Sequence, residues 1–195
     1  MIQLAEMYVT LMGLIMAGIM NMIFTKTPYF KKSHPPMDGG RNFRDGRRIF
    51  GDNKSWKGFW GMTVCCGISQ TAWGLISRLS PTLTARNRLY QVSENTLLYN
   101  LAIGLLFGFV YVLFELPNSF IKRRLDITPG KTAKGGLGVL FFIIDQIDSL
   151  LGVTLCLAII CGFSFWEYWA YILVGGLTHI VINLSLYALR IRRNV

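Results

Sequence analysis

The sequence predicts an all-α integral membrane protein of about five transmembrane helices, and three observations predict it. Of the 195 residues, 52% are hydrophobic and only 15% are charged, where a soluble domain carries about 25% charged residues. The mean hydropathy is +0.43. Five apolar runs, at 3–24, 58–77, 96–116, 138–161 and 167–189, approach the ~20 residues that a spanning helix requires. The length fits a single polytopic domain over 1–195. The formal net charge is +10, but the basic residues lie in the gaps between apolar runs. That placement excludes a nucleic-acid-binding face and predicts contact with anionic headgroups and phosphates.

The run 3–24 has no basic segment before it, and its positive charges follow it, so a retained span is expected rather than a cleaved signal peptide. Segment 25–57 then carries nine Lys and Arg residues: Lys26, Lys31, Lys32, Arg41, Arg44, Arg47, Arg48, Lys54 and Lys57. The run 58–77 follows, and then 78–95, whose Pro81, Ser, Thr and Asn read as a polar connector. The run 96–116 stops at Pro117-Asn118-Ser119, which predicts a helix break with a polar cap at the membrane surface. Segment 117–137 contributes Lys122, Arg123, Arg124, Lys131 and Lys134. The runs 138–161 and 167–189, joined by a short turn near Gly162–Trp166, are expected to be antiparallel neighbours. The tail carries Arg190, Arg192 and Arg193, whereas the opposite side has only Arg78, Arg86 and Arg88. The excess of Lys and Arg places loops 25–57 and 117–137 and the C-terminus in the cytoplasm and the N-terminus outside. Trp56, Trp60, Trp73, Trp166 and Trp169 fall near span ends, as interfacial anchors do. Gly13, Gly104, Gly108, Gly175 and Gly176 within spans predict close helix approach. Cys65, Cys66, Cys156 and Cys161 have neither zinc nor disulfide spacing and read as small core residues.

Against this apolar background, two carboxylates stand out. Asp145 and Asp148 are three apart and share a helix face, roughly 10 Å inside a span that begins near Gly138. No cation within the spans is an obvious partner for them. Two like charges on one face require a counter-charge, and a divalent cation supplies it; Mg²⁺ takes one or two carboxylates plus substrate phosphates. Lys122, Arg123 and Arg124 begin just after the third span. They serve as positive-inside anchors and, after the expected break, as phosphate-binding groups. The loop from Asp45 to Gly58 mixes glycines, acids, cations and an amide, a composition suited to nucleotide and phosphate, with Lys54 as a phosphate cation. Gly130-Lys131-Thr132 is not a P-loop, because Leu125 stands where the first glycine is required. His179 and Asn183, spaced i and i+4, divide between interhelical hydrogen bonding and site lining. Asn100 reads as interhelical glue, and Glu115 lies one turn from the Ser119 cluster.

These residues together resemble the CDP-archaeol synthases, relatives of the CDP-diacylglycerol synthases, over most of the chain beyond the first helix. Asp38-Gly39-Gly40-Arg41 and the stretch from Asp45 through Arg47, Arg48, Asp52, Asn53 and Lys54 to Gly58 resemble the family's first cytosolic loop. Glu115-Leu116-Pro117-Asn118-Ser119-Phe120-Ile121-Lys122-Arg123-Arg124-Leu125 resembles its second. Asp145-Gln146-Ile147-Asp148 resembles its acidic pair, and Thr178-His179 with Asn183 its last helix. Asp126 departs, standing where the family usually has glycine, and the stretch 131–144 is longer than the family's link, with Lys134-Gly135-Gly136 resembling the His-Gly-Gly of bacterial relatives. The resemblance implies transfer of CMP from CTP to a phosphatidic-type lipid, giving a CDP-lipid and pyrophosphate with Mg²⁺, at the cytoplasmic face of the cell membrane. It implies that Asp145 and Asp148 hold Mg²⁺, that Lys122 and Arg123 hold phosphates, and that Ser119, Asn118 and Glu115 belong to the catalytic group. Asp52, Asn53 and Lys54, with Arg47 and Arg48, would contact nucleotide or metal.

The expected partners are CTP and a lipid phosphate in the bilayer, with a homo-oligomer left open. A transporter or channel with an intramembrane carboxylate pair is the rival reading, but it should show repeated halves or broken helices at matching positions, and this sequence shows neither. The paired signature of the CDP-alcohol phosphotransferases is also absent. Ether-linked and ester-linked lipids present the same glycerol phosphate and are not distinguished by these residues.

Overall fold

The computed structural model describes residues 3–26, 34–131, 133 and 135–188. Lys31, Lys32, Thr132, Lys134, Arg190, Arg192 and Arg193 lie outside the described residues. Seven helices are described: α1 (Leu4–Lys26), α2 (Trp56–Arg78), α3 (Pro81–Arg86), α4 (Arg88–Val92), α5 (Leu97–Arg124), α6 (Gly135–Cys161) and α7 (Phe165–Ala188). Their starts follow from local chemistry. The Ser55 hydroxyl accepts from Gly58 N–H at 3.2 Å to begin α2, and the Thr96 hydroxyl accepts from Tyr99 N–H at 3.2 Å to begin α5. Before α7, Ser164 and Glu167 exchange hydrogen bonds of 2.8 and 3.3 Å in a reciprocal capping box.

Among the described residues, four stretches are long and apolar enough to cross a membrane: Leu4–Thr25, Leu97–Arg124, Gly135–Cys161 and Phe165–Ser185. The expected span at 58–77 has the length in α2, at 23 residues, but not the apolarity of the other four. Its polar side chains are absorbed by neighbours: Thr63 and Ser77 bond back to their own helix, and Gln70 donates to Asn100 of α5 at 3.0 Å. The helix packs between α1 and α5, shielding those groups from lipid. The α2–α5 seam is tight because glycine lines it. A Cβ on Gly108 would lie 2.6 Å from the Thr63 Cα, and one on Gly104 would lie 2.8 Å from the Gly67 Cα.

Successive long helices run antiparallel. One end of the bundle therefore gathers the C-termini of α1, α5 and α7 with the N-termini of α2 and α6, and the loop 34–55 covers it. Four local expectations change. The chain does not break at Pro117, which sits inside α5; the lost N–H bond is tolerated in a membrane helix, and Lys122, Arg123 and Arg124 form the last helical turn. Helix α6 starts at Gly135, so Asp145 lies ten residues, ~15 Å, along it. The connector 78–95 is partly helical, as α3 and α4. Trp73 is no interfacial anchor: it is buried and donates its indole N–H to Val9 O at 2.8 Å, whereas Trp56, Trp60, Trp166 and Trp169 are exposed.

Candidate functional site

The loop 34–55 folds around one carboxylate. Asp38 has a fully buried side chain that accepts from the Arg48 guanidinium at 2.8 and 3.3 Å and from the backbone N–H groups of Gly40, Phe50 and Gly51 at 2.9–3.0 Å. Burial alone would raise its pKa, but Arg48 and these N–H groups hold it well below the ordinary 3.8. Gly51 turns with φ +93°, and a side chain there would strike Pro129 at 2.8 Å. This turn seats the first loop on the second. A set of arginine contacts then clasps the loop to the end of α5. Arg47 donates to Arg124 O at 2.7 Å and pairs with Asp126 at 2.6 Å. Arg124 pairs with Asp45 at 2.8 Å, donates to Arg48 O, and lies over the Phe120 and Phe43 rings. Asp126 has φ +55° and is the one non-glycine residue with positive φ among those described. Its departure from the family's usual glycine thus falls on a left-handed position.

Beneath the clasp lies a cavity of about 660 Å³. Its polar part is lined by Asn53 and Lys54 from the first loop, Glu115, Asn118, Ser119, Lys122 and Arg123 from α5, and Asp145 from α6. Its apolar part runs down between α1 and α7, along Leu11, Leu14, Ile15 and Ile19 on one side and Ile182 on the other. One chamber therefore joins a charged pocket at the loop end to an apolar channel at membrane depth.

The carboxylates are held by α5. Asn118 Nδ2 donates to Asp145 Oδ1 at 2.7 Å and to Asp148 Oδ2 at 2.6 Å, bridging the two acids. The expectation that no cation partners them is corrected: Lys122 Nζ lies 2.5 Å from both Asp145 oxygens. The reason is that α5 continues past Pro117 as helix, so Lys122 stands one turn beyond Asn118 on the same face. Lys54 pairs with Glu115. Desolvation pulls the Lys54 pKa down, but Glu115, with Asp148 and Asp145 behind it, outweighs that and holds the ammonium above its ordinary 10.5.

Arg123 differs from both lysines. It is 9% exposed, and its Nε and Nη1 have no hydrogen-bond partner. The Asn118 Oδ1 is likewise buried and unpartnered. Buried donors left open in this way are costly unless something else fills them, and a buried guanidinium in a cavity is suited to a phosphate. Among the described residues, no group of three or more His, Cys, Asp or Glu side chains forms a closed metal cage. Asp145 on the cavity wall and Asp148, tied to it through the Asn118 amide, are hard oxygen donors of the kind taken by a divalent cation that keeps water and phosphate ligands.

Not every sequence-predicted residue reaches the cavity. Arg47, Arg48 and Asp52 do not line it; Arg48 bridges the buried Asp38 and the exposed Asp52, pairing with the latter at 2.9 Å. Asp148 is buried behind Asn118. His179 and Asn183 line the wall and meet Gln146, whose amide oxygen accepts from Asn183 at 2.8 Å and whose backbone oxygen lies 3.3 Å from the His179 ring. Sequence reasoning missed α1, which supplies a full wall. Its only signal was Asn21, a lone amide in an apolar run, whose Oδ1 is buried without a partner at the cavity. It also missed the strap Thr128-Pro129-Gly130, where nothing in the residue pattern marks cavity lining.

A family model described as CarS-like CDP-archaeol synthase matches residues 4–195. A CDP-archaeol synthase from Pyrococcus furiosus is 40% identical over 116 residues, a match spanning 55% of this chain and 60% of that protein. One from Sulfurisphaera tokodaii is 27% identical over 164 residues, spanning 84% of this chain and 82% of that protein. A solved structure of an intramembrane enzyme for archaeal membrane lipid biosynthesis shares the fold, with a TM-score of 0.60 at 21% identity over 91% of this chain and 92% of that one.

Proposed function

The chain belongs to the CDP-archaeol synthase family, and from that membership and the chemistry of the cavity we propose that it transfers CMP from CTP to a lipid phosphate, releasing pyrophosphate. The observation that carries the proposal is the single chamber with two chemistries. A charged pocket holding Arg123, Lys54 and Lys122 opens into an apolar channel between α1 and α7. A triphosphate suits the first and a lipid tail the second, so their phosphates meet at the junction.

In this reading an oxygen of the lipid phosphate attacks the α-phosphorus of CTP, and the bond to the β-phosphate breaks. Little covalent help is needed, and positioning with charge neutralisation dominates. Arg123 offers its unpartnered N–H groups to the triphosphate, with Lys54 and Lys122 contributing charge. Asn118 fixes the two carboxylates relative to one another, and Ser119, on the next position of the cavity wall, orients a phosphate oxygen. Asp145 and Asp148 would hold Mg²⁺, which when bound would neutralise phosphate charge. Asp38 and Arg48 serve by shaping the loop that carries Asn53 and Lys54. The loop end faces the cytoplasm, where CTP is available; eleven of the described Lys and Arg residues lie there against Arg78, Arg86 and Arg88 at the far end. Of the two acceptors, family membership favours the isoprenoid ether lipid over the acyl ester.

The test uses purified protein in liposomes with Mg²⁺ and CTP labelled at either the α- or the γ-phosphate, supplied with archaetidic or phosphatidic acid. The α-label should enter the lipid fraction and the γ-label should leave as pyrophosphate, faster with archaetidic acid. Absence of α-label from both lipids would refute the activity, and preference for phosphatidic acid would refute the acceptor assignment.

A further inference from the structure

Lys54, Lys122 and Arg123, three of the cations that line the cavity, are not in equivalent states. Lys54 is paired with Glu115, Lys122 with Asp145, and Arg123 has open N–H donors. Lys122 is the most specific of these. Its ammonium lies 2.5 Å from both oxygens of Asp145, the position from which a small cation would bind that carboxylate. Asn118 ties the same Asp145 Oδ1 to Asp148, so the ammonium offsets one of the two charges of a linked carboxylate pair. Nζ also sits 5.5 Å above the Phe141 ring, which favours a cation there. The side chain is 16% exposed and lines the cavity, so a ligand can reach it.

We propose that Lys122 occupies the metal's position at Asp145 until a nucleotide draws it away, so that the chain takes up its divalent cation as a nucleotide chelate and not as the free ion. This rests on the reading that Asp145 and Asp148 hold the metal. A free divalent ion must displace a contact ammonium from one of its two carboxylates and leave that ammonium without an anion in a largely buried site. A metal–triphosphate chelate brings both halves of the exchange: the ion goes to Asp145 and the phosphate receives Lys122. Binding of metal and nucleotide is then coupled, and by linkage each raises the other's affinity by the same factor. Arg123, already open, is the anchor that needs no exchange.

The experiment measures Mn²⁺ binding by electron paramagnetic resonance to the full-length protein in nanodiscs, with and without CTP and with no lipid acceptor. Wild type, Lys122→Gln, Lys122→Met, Lys122→Arg and Asp145→Asn are compared. Met keeps the apolar stem over Phe141 and serves if Gln perturbs the fold. Without CTP, the two neutral variants should bind Mn²⁺ about tenfold more tightly than wild type, the scale of one contact charge removed from a half-buried carboxylate. Lys122→Arg should match wild type, and the gain from CTP should shrink in the neutral variants. Neutral variants that bind free Mn²⁺ no better than wild type overturn the proposal. Should they fail while Asp145→Asn abolishes CTP-dependent Mn²⁺ binding, the metal assignment stands and only the exchange is lost. If Asp145→Asn leaves that binding intact, the metal assignment itself fails and takes the exchange with it.

Discussion

Two of the polar clusters buried among the described residues are built on opposite rules. The first lies on the α2–α5 seam and reaches the far end. Asn100 accepts from Gln70 at 3.0 Å and from Tyr90 at 2.7 Å, and it donates to Asn95 and to Thr96 O at 2.6 and 2.7 Å. It holds no charge, and none of these four side chains has a buried polar atom without a partner. The second, under the loop clasp, is made of charges, opens to a 660 Å³ cavity, and leaves Arg123 and Asn118 partly unsatisfied. A closed neutral network is how a membrane bundle fixes the register of two helices. An open charged one is unfavourable as structure alone and marks a binding site.

That contrast can be broken by mutation. The largest effect is expected at Asp148→Asn, which removes one carboxylate of the bridged pair. CDP-lipid formation should fall about a hundredfold or more, measured as initial rate in liposomes, with the thermal midpoint unchanged or raised. Next, Gly108→Val forces a side chain into the Thr63 backbone. A loss of about 3 kcal/mol is expected, read as a lowered midpoint, with the specific activity of the surviving folded fraction preserved. Third, Asn100→Leu deletes four hydrogen bonds, worth about 0.6 kcal/mol each in lipid. It should lower the midpoint while keeping activity within about twofold, a ΔΔG‡ below ~0.5 kcal/mol.

The two clusters were unequally legible in the sequence. Asp145, Asp148, Glu115 and the Lys122-Arg123 pair stood out because charge in an apolar run demands a reason. The closed network did not: Asn100 read as interhelical glue, and Gln70 and Tyr90 carried no spacing that links them, since the partners sit on three different elements. The spanning helices were readable from apolar runs alone. The continuation of α5 through Pro117 was not, because proline's local preference is overruled by helix packing. That error hid the Lys122–Asp145 pair, which exists only if the helix continues. The α1 wall was hidden for another reason: apolar residues facing a channel and apolar residues facing lipid look the same.

Two smaller effects sharpen the account at the loop. Asp38 has its folded pKa below its unfolded value. It therefore contributes stability fully above its ordinary 3.8, and that contribution is lost as pH falls below 3.8 towards the folded value. Amide-exchange protection at Gly40, Phe50 and Gly51 should hold from neutral pH down to the ordinary carboxylate range and weaken only below it; Asp38→Asn should lose it at every pH. The smallest effect is expected at Asp126→Gly. Relief of the left-handed φ, about 1 kcal/mol, offsets loss of an exposed pair with Arg47 worth about 0–1 kcal/mol. The midpoint should rise slightly or hold, and activity should hold.

The most direct measurement takes Asp148→Asn and Asn100→Leu through the same two assays, α-labelled CTP incorporation into archaetidic acid and thermal unfolding in one detergent. The account predicts a crossover: Asp148→Asn loses transfer and keeps its stability, and Asn100→Leu loses stability and keeps transfer. Parallel losses of both properties in both variants, or full transfer by Asp148→Asn, would contradict it.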